Sequence, residues 1–142
     1  MKTMTSTLSS REKNLMLHSI QKIITLSEAR IPHLIQHGDN DFFHGSETFV
    51  EGIESEMIEM KDELRLGNRV LLEDELGDIF WDYICLLENL EQEGKISKSK
   101  VFDRCWTKFS ERLKSDGSDN GDWAEVKKKQ KERLMQEINR AK

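Results

Sequence analysis

The chain has 142 residues, 36% hydrophobic and 35% charged, with eight glycines and a single proline. That length fits one domain, and so few turn residues exclude an all-β fold and favour long amphipathic helices. A net charge of −5 argues against nucleic acid as a partner, and the absence of a long apolar run argues against a membrane span.

Residues 1–8 are expected to form a loose tail and residues 9–142 a single all-α domain. Ser9 and Glu12 have capping-box spacing. They open a first helix with apolar positions at Leu15, Leu17, Ile20, Ile23, Ile24 and Leu26. It is expected to end near Pro32, because the residue before a proline resists the helical conformation. Residues 37–45, HGDNDFFHG, read as loop. Phe42, Phe43 and His44 in that loop plug it or line a base pocket, with the plug favoured.

A second helix is predicted over about 46–66, with Phe49, Ile53, Met57, Met60 and Leu64 as its apolar stripe. Gly67 and Asn68 make the turn. The third helix, about 70–93, is apolar over much of its girth, from Leu72 through Ile79, Phe80, Ile84 and Leu87 to Leu90. A helix of that kind must touch more than one neighbour, which points to oligomerisation through the bundle. Gly94 stops it and Ser97 can cap a fourth helix carrying Val101, Phe102, Trp106, Phe109 and Leu113. A glycine-rich loop follows. Asp122 and Glu125 then open a lysine-rich last helix, about 122–140, expected to be peripheral or intersubunit. The fold expected is a four-helix-bundle-like core with an extra C-terminal helix. Trp81 and Trp106 are read as core or interface residues.

Charge is unevenly spread. Residues 51–93 carry 14 acids and 3 bases, whereas residues 94–142 carry 8 acids and 14 bases. Cys85 and Cys105 lie within apolar helical patterns and lack metal-ligand spacing, so both read as buried thiols of a reducing compartment. The polar N-terminus has no signal-peptide core, and a cytoplasmic setting is expected.

Within the acidic stretch, Glu56, Glu59 and Glu63 on the second helix and Glu75, Asp78 and Asp82 on the third share one spacing, i, i+3, i+7. At about 100° per residue each set makes a narrow stripe along the edge of its apolar face. A short turn sets the two helices antiparallel, so the stripes can face each other. Crowded carboxylates either raise one another's pKa or hold cations. With no cysteine or histidine among them they suit Mg²⁺ or Mn²⁺. Magnesium accepts phosphate as a further ligand, which suggests phosphoryl or nucleotidyl chemistry. A solvated helix face is the plain alternative, and spacing alone leaves the two even.

The stretch SEMIE, residues 55–59, followed by ELGD, residues 75–78, and the apolar run IFWDYICLL resembles the signature of the MazG family of nucleoside triphosphate pyrophosphohydrolases. Ser55 stands where that family often has the first of two adjacent glutamates. The similarity spans about residues 46–130. It implies metal ligation by Glu56, Glu59, Glu75 and Asp78, with Mg²⁺ or Mn²⁺ as cofactor. Glu56 or Glu59 would orient or deprotonate the attacking water. Lys108 and Arg112 match a lysine–arginine pair that would neutralise the polyphosphate, and Trp123 and Lys127 match a pair that would contact base and phosphate. Trp123 as a packing anchor is the equal alternative. Glu63 and Asp82 extend the stripes by one turn, as supports for the ligands or as ordinary surface acids.

The family hydrolyses nucleoside triphosphates, often deoxy or damaged ones, to the monophosphate and pyrophosphate. Its members assemble as dimers or tetramers, so a homodimer or homotetramer and a house-cleaning role are implied. A dUTP or phosphoribosyl-ATP enzyme, or an inactive helical interaction module, is the competing reading. A di-iron protein would need paired ExxH motifs, which the helices lack.

Overall fold

The computed structural model describes residues 7–38 and 42–142. Residues 1–6 of the expected tail and 39–41 of the expected loop lie outside the described residues. Among those described there are five helices and no strand, so the all-α expectation holds. The helices are α1 (Ser10–His37), α2 (Glu47–Leu66), α3 (Arg69–Gln92), α4 (Lys98–Arg112) and α5 (Trp123–Arg140). They form two compact units, one ending at Lys95 and the other beginning at Ile96.

In the first unit α1 and α2 both pack on α3. The Ser9 side chain accepts a hydrogen bond from the Glu12 amide at 3.1 Å and starts α1. α1 does not stop at Pro32; it continues to His37 with the proline inside it. The ring removes one helical hydrogen bond, at a cost of about 3 kcal/mol. Ile31 and Leu34 flank it and are buried against Phe49 and Cys85, while Pro32 itself faces solvent. Burial of such aliphatic side chains contributes about 1.5–3 kcal/mol each, which offsets the local break. Tertiary packing therefore overrides the local signal.

The α2–α3 hairpin is closed by two residues. Gly67 adopts φ 75° and donates its amide to the Glu63 carbonyl at 2.9 Å, a left-handed cap that favours glycine. Asn68 is the N-cap of α3, its side chain accepting from the Leu71 amide at 3.1 Å. The buried apolar residues, Ile31, Leu34, Phe49, Ile84, Cys85 and Leu87, collect at the end of the hairpin away from this turn. Phe43, Trp81 and Leu86 pack around them, with the Phe43 and Phe49 rings 6.3 Å apart. Phe43 thus takes the plug role, whereas Phe42 is exposed. Toward the turn the hairpin leaves Ile58, Leu64, Leu66, Val70 and Leu76 exposed.

In the second unit α4 and α5 pack on each other. Ser97 takes the N-cap position of α4 without a capping bond from its side chain, and its hydroxyl pairs with that of Ser99. Asp122 caps α5 by accepting from the Ala124 amide at 2.9 Å, one residue short of a capping box. α4 buries none of its residues. Cys105 is therefore exposed, contrary to expectation, and Trp106 is 74% exposed and no part of a core. Their partner helix within the unit is lysine-rich and offers little apolar surface. Cys85 is buried as expected, and burial together with the nearby Asp82 pushes its thiol up to about 12. It stays protonated and inert. Among the described residues no helix is long and apolar enough to cross a membrane.

Candidate metal centre

The antiparallel hairpin brings the two acidic stripes face to face. Glu56 from α2 and Glu75 and Asp78 from α3 each offer a carboxylate oxygen, and those atoms all lie within 4.8 Å of one another. Glu59 stands beside Glu56 and Glu75 and adds its repulsion to both. The four acids that the family resemblance implies as ligands are thus neighbours. Glu56 and Glu75 are half-buried, whereas Asp78 and Glu59 are exposed at the rim.

The electrostatics follow from this crowding. The adjacent Glu75 carboxyl is the main reason the Glu56 carboxyl is pushed up to about 8, with burial and the neighbouring Glu59 acting the same way. At Glu75 the interaction with Glu56 acts downward. Burial and the adjacent Glu59 and Asp78 outweigh it, and the group is raised. Glu56 Oε2 and Glu75 Oε2 are enclosed and have no hydrogen-bond partner among the described residues. Enclosed carboxylate oxygens without a donor are costly unless protonated or bound to a cation. The donor set is all carboxylate, which fits a hard divalent ion better than a soft one. The residues present therefore fit a divalent metal.

Glu63 Oε2 is likewise enclosed without a partner, although Glu63 lies one turn beyond the cluster. Asp82 is raised by burial and then by Asp78. Its carboxylate lies against the α2 backbone at Gly52, where an added Cβ would come within 2.6 Å of Asp82 Oδ2. Gly52 carried a signal that the acidic spacing obscured: glycine inside a helix is costly, and it permits a close approach here.

The residues expected to meet the polyphosphate lie in the second unit. Arg112 stacks over Trp123 with its Cζ 5.5 Å from the ring centroid, and over Phe109 at 5.7 Å. Its Nε donates to Gln130 Oε1 at 2.9 Å. Lys108 lines a groove between α4 and α5. In that groove Arg104 is tied to Glu137 by two hydrogen bonds of 3.0 and 2.6 Å. Lys127 is exposed on α5. The structure thus joins Arg112 with Trp123, while Gln130 went unnoticed because a lone glutamine on a polar helix carries no pattern.

A family model, that of the MazG nucleotide pyrophosphohydrolase domain, matches residues 44–115. The matched span holds Glu56, Glu59, Glu75, Asp78, Lys108 and Arg112 and stops short of Trp123 and Lys127. Comparison with curated proteins and with solved structures gives no match. Covering half of the chain and including the whole acidic cluster, the match places this protein in the MazG nucleotide pyrophosphohydrolase family.

Proposed function

We propose that the protein hydrolyses nucleoside or deoxynucleoside triphosphates to the monophosphate and pyrophosphate, with Mg²⁺ or Mn²⁺ held by Glu56, Glu59, Glu75 and Asp78. The observation that carries this reading is the set of three carboxylates within 4.8 Å, two of which bring enclosed oxygens without a donor. Family membership supports pyrophosphohydrolase chemistry in general. When bound, the ion would supply positive charge that polarises the α-phosphate and eases loss of a proton from the attacking water. Glu56 or Glu59 would orient the attacking water and take its proton as the oxygen bonds to the α-phosphorus. The bond from that phosphorus to the bridging oxygen breaks, and pyrophosphate leaves with the electron pair.

Lys108 and Arg112 neutralise the charge that gathers on the β- and γ-phosphates. Trp123 and Lys127 contact the base and a phosphate. The exposed apolar residues of the hairpin, including Ile58, Leu64 and Leu76, support assembly with a second copy, as a homodimer or homotetramer. The unpaired Cys85 and Cys105 accord with a reducing, cytoplasmic setting, where removal of unwanted nucleotides is the role.

The test is product analysis with Mg²⁺ on a panel of common and modified triphosphates, including dUTP and phosphoribosyl-ATP. Glu59→Gln and Asp78→Asn should each lower turnover by more than about a hundredfold, with helicity by circular dichroism unchanged. Full activity in either variant would refute the site assignment. A wild-type chain that cleaves nothing on the panel and gains no thermal stability from Mg²⁺ is an interaction module instead.

A further inference from the structure

Among residues 96–142 one side chain is buried, and it is polar: Gln130, on α5, is 7% exposed. A buried glutamine in a helical pair that encloses no apolar side chain asks for a reason. Its amide is fully engaged. Nε2 donates to the Lys108 carbonyl at 3.0 Å and to Glu111 Oε1 at 3.1 Å. Oε1 accepts from Arg112 Nε at 2.9 Å. The amide has one orientation consistent with these partners, since the first two groups only accept here and the third only donates. Glu111 is fixed in turn by Arg133, and that pairing, with Gln130 behind it, holds its carboxyl below the usual range.

Gln130 therefore grips both residues of the Lys108–Arg112 pair, one by its backbone and one by its side chain. For Arg112 the consequence is specific. With Nε bound and the guanidinium stacked over Trp123 and Phe109, the plane and roll of the group are set. The edge formed by Nη1 and Nη2 is then presented as a two-pronged donor, the geometry that matches a pair of phosphate oxygens. A loose arginine would lose rotamer freedom on binding an anion; a held one has already lost it.

We propose that Gln130 is a positioning residue, whose amide holds Arg112 so that the outer edge of its guanidinium is preset to receive the pyrophosphate moiety. This rests on the reading of Arg112 as a polyphosphate-binding residue. Gln130 touches no substrate and acts through Arg112.

The experiment measures binding of inorganic pyrophosphate with Mg²⁺ by calorimetry in the wild-type chain, Arg112→Ala, Gln130→Met and the double variant. Methionine keeps the length of the side chain and removes every polar atom. Arg112→Ala and Gln130→Met should each weaken pyrophosphate by about tenfold, and the double variant should be no weaker than Arg112→Ala. The Arg112 Nε–H resonance should exchange slowly in the wild type and be lost in Gln130→Met. A merely structural glutamine would not produce this non-additivity.

Independent, multiplying losses would overturn the proposal, as would unchanged affinity in Gln130→Met beside a loss in Arg112→Ala; in both cases Arg112 keeps its role. Unchanged affinity in Arg112→Ala would remove the role of Arg112 itself and the proposal with it. If Gln130→Met does not fold, Gln130→Asn draws the amide back by one methylene, out of reach of Arg112 Nε, while keeping a polar side chain and leaving Arg112 whole. A loss of about tenfold supports the proposal there, and unchanged affinity overturns it.

Discussion

Glu56 faces Glu75 across the hairpin, and their crowding makes stability depend on pH. Unfolded, Glu56 releases its proton near the ordinary 4.5; folded, it keeps the proton up to about 8. Between those values the folded chain binds more protons than the unfolded one, so stability falls as pH rises. Metal-free protein should melt at progressively lower temperature across this window. A divalent ion bound there would take the place of the proton, so the stabilisation given by millimolar Mg²⁺ should grow with pH over the same range. Thermal melts with and without Mg²⁺ check both statements, and a magnesium effect independent of pH would contradict them.

Gly52 and Gly77 offer a matched residue-scale pair. Both lie inside helices, where alanine is ordinarily better by roughly 0.5–1 kcal/mol. A Cβ at Gly77 meets nothing within 4 Å, whereas one at Gly52 runs into Asp82. Gly77→Ala should raise stability by about that amount. Gly52→Ala should lower it, because Asp82 must leave its half-buried place. Urea titrations of the two variants separate these outcomes.

At the scale of the helices, most boundaries were readable because their signals are local. Ser9, the Gly67–Asn68 pair and Gly94 each mark an end of a helix through chemistry that needs no distant partner. Pro32 is the exception: its local signal was clear but lost to Ile31 and Leu34, whose burial depends on α3. Pro32→Ala should accordingly stabilise the first unit, by up to about 3 kcal/mol, measurable by denaturant unfolding. No change there would mean that the ring is accommodated without strain.

The acidic cluster was legible for the same reason as the turn. Its members belong to two adjacent helices, and periodicity with a short connection fixes which faces meet. Gln130 was not legible, since its partners Lys108, Glu111 and Arg112 become neighbours only once α5 lies along α4. The same applies to Cys105 and Trp106. Their apolar pattern stated a preference for burial, and α5 does not supply the surface to satisfy it.

For the molecule as a whole, apolar surface exceeds what one chain encloses. Among the described residues six apolar ones form the buried core, while Leu15, Leu17, Leu26, Ile58, Leu64, Leu66, Val70 and Leu76 stand 48–75% exposed. Large apolar side chains left open in this number on three helices point to a surface that a second copy covers. The protein should therefore sediment as a dimer or larger at micromolar concentration, and Ile58→Glu with Leu64→Glu should shift it toward the monomer. A monomeric mass for the unmodified chain would remove this argument. Two of the apolar groups left open, Ile58 and Leu76, adjoin Glu59 and Glu75 in the chain, so assembly and metal binding should reinforce each other.

The brevity of the turn at Gly67 and Asn68 has one more consequence. All four acids and the scaffold that aligns them lie in a single stretch from Glu56 to Asp78, so the cluster needs no encounter between remote parts of the chain. Low contact order favours rapid formation. The hairpin can close on the emerging polypeptide while α4 and α5 are still to be made, and a cation captured then would act as an early clasp on the growing fold.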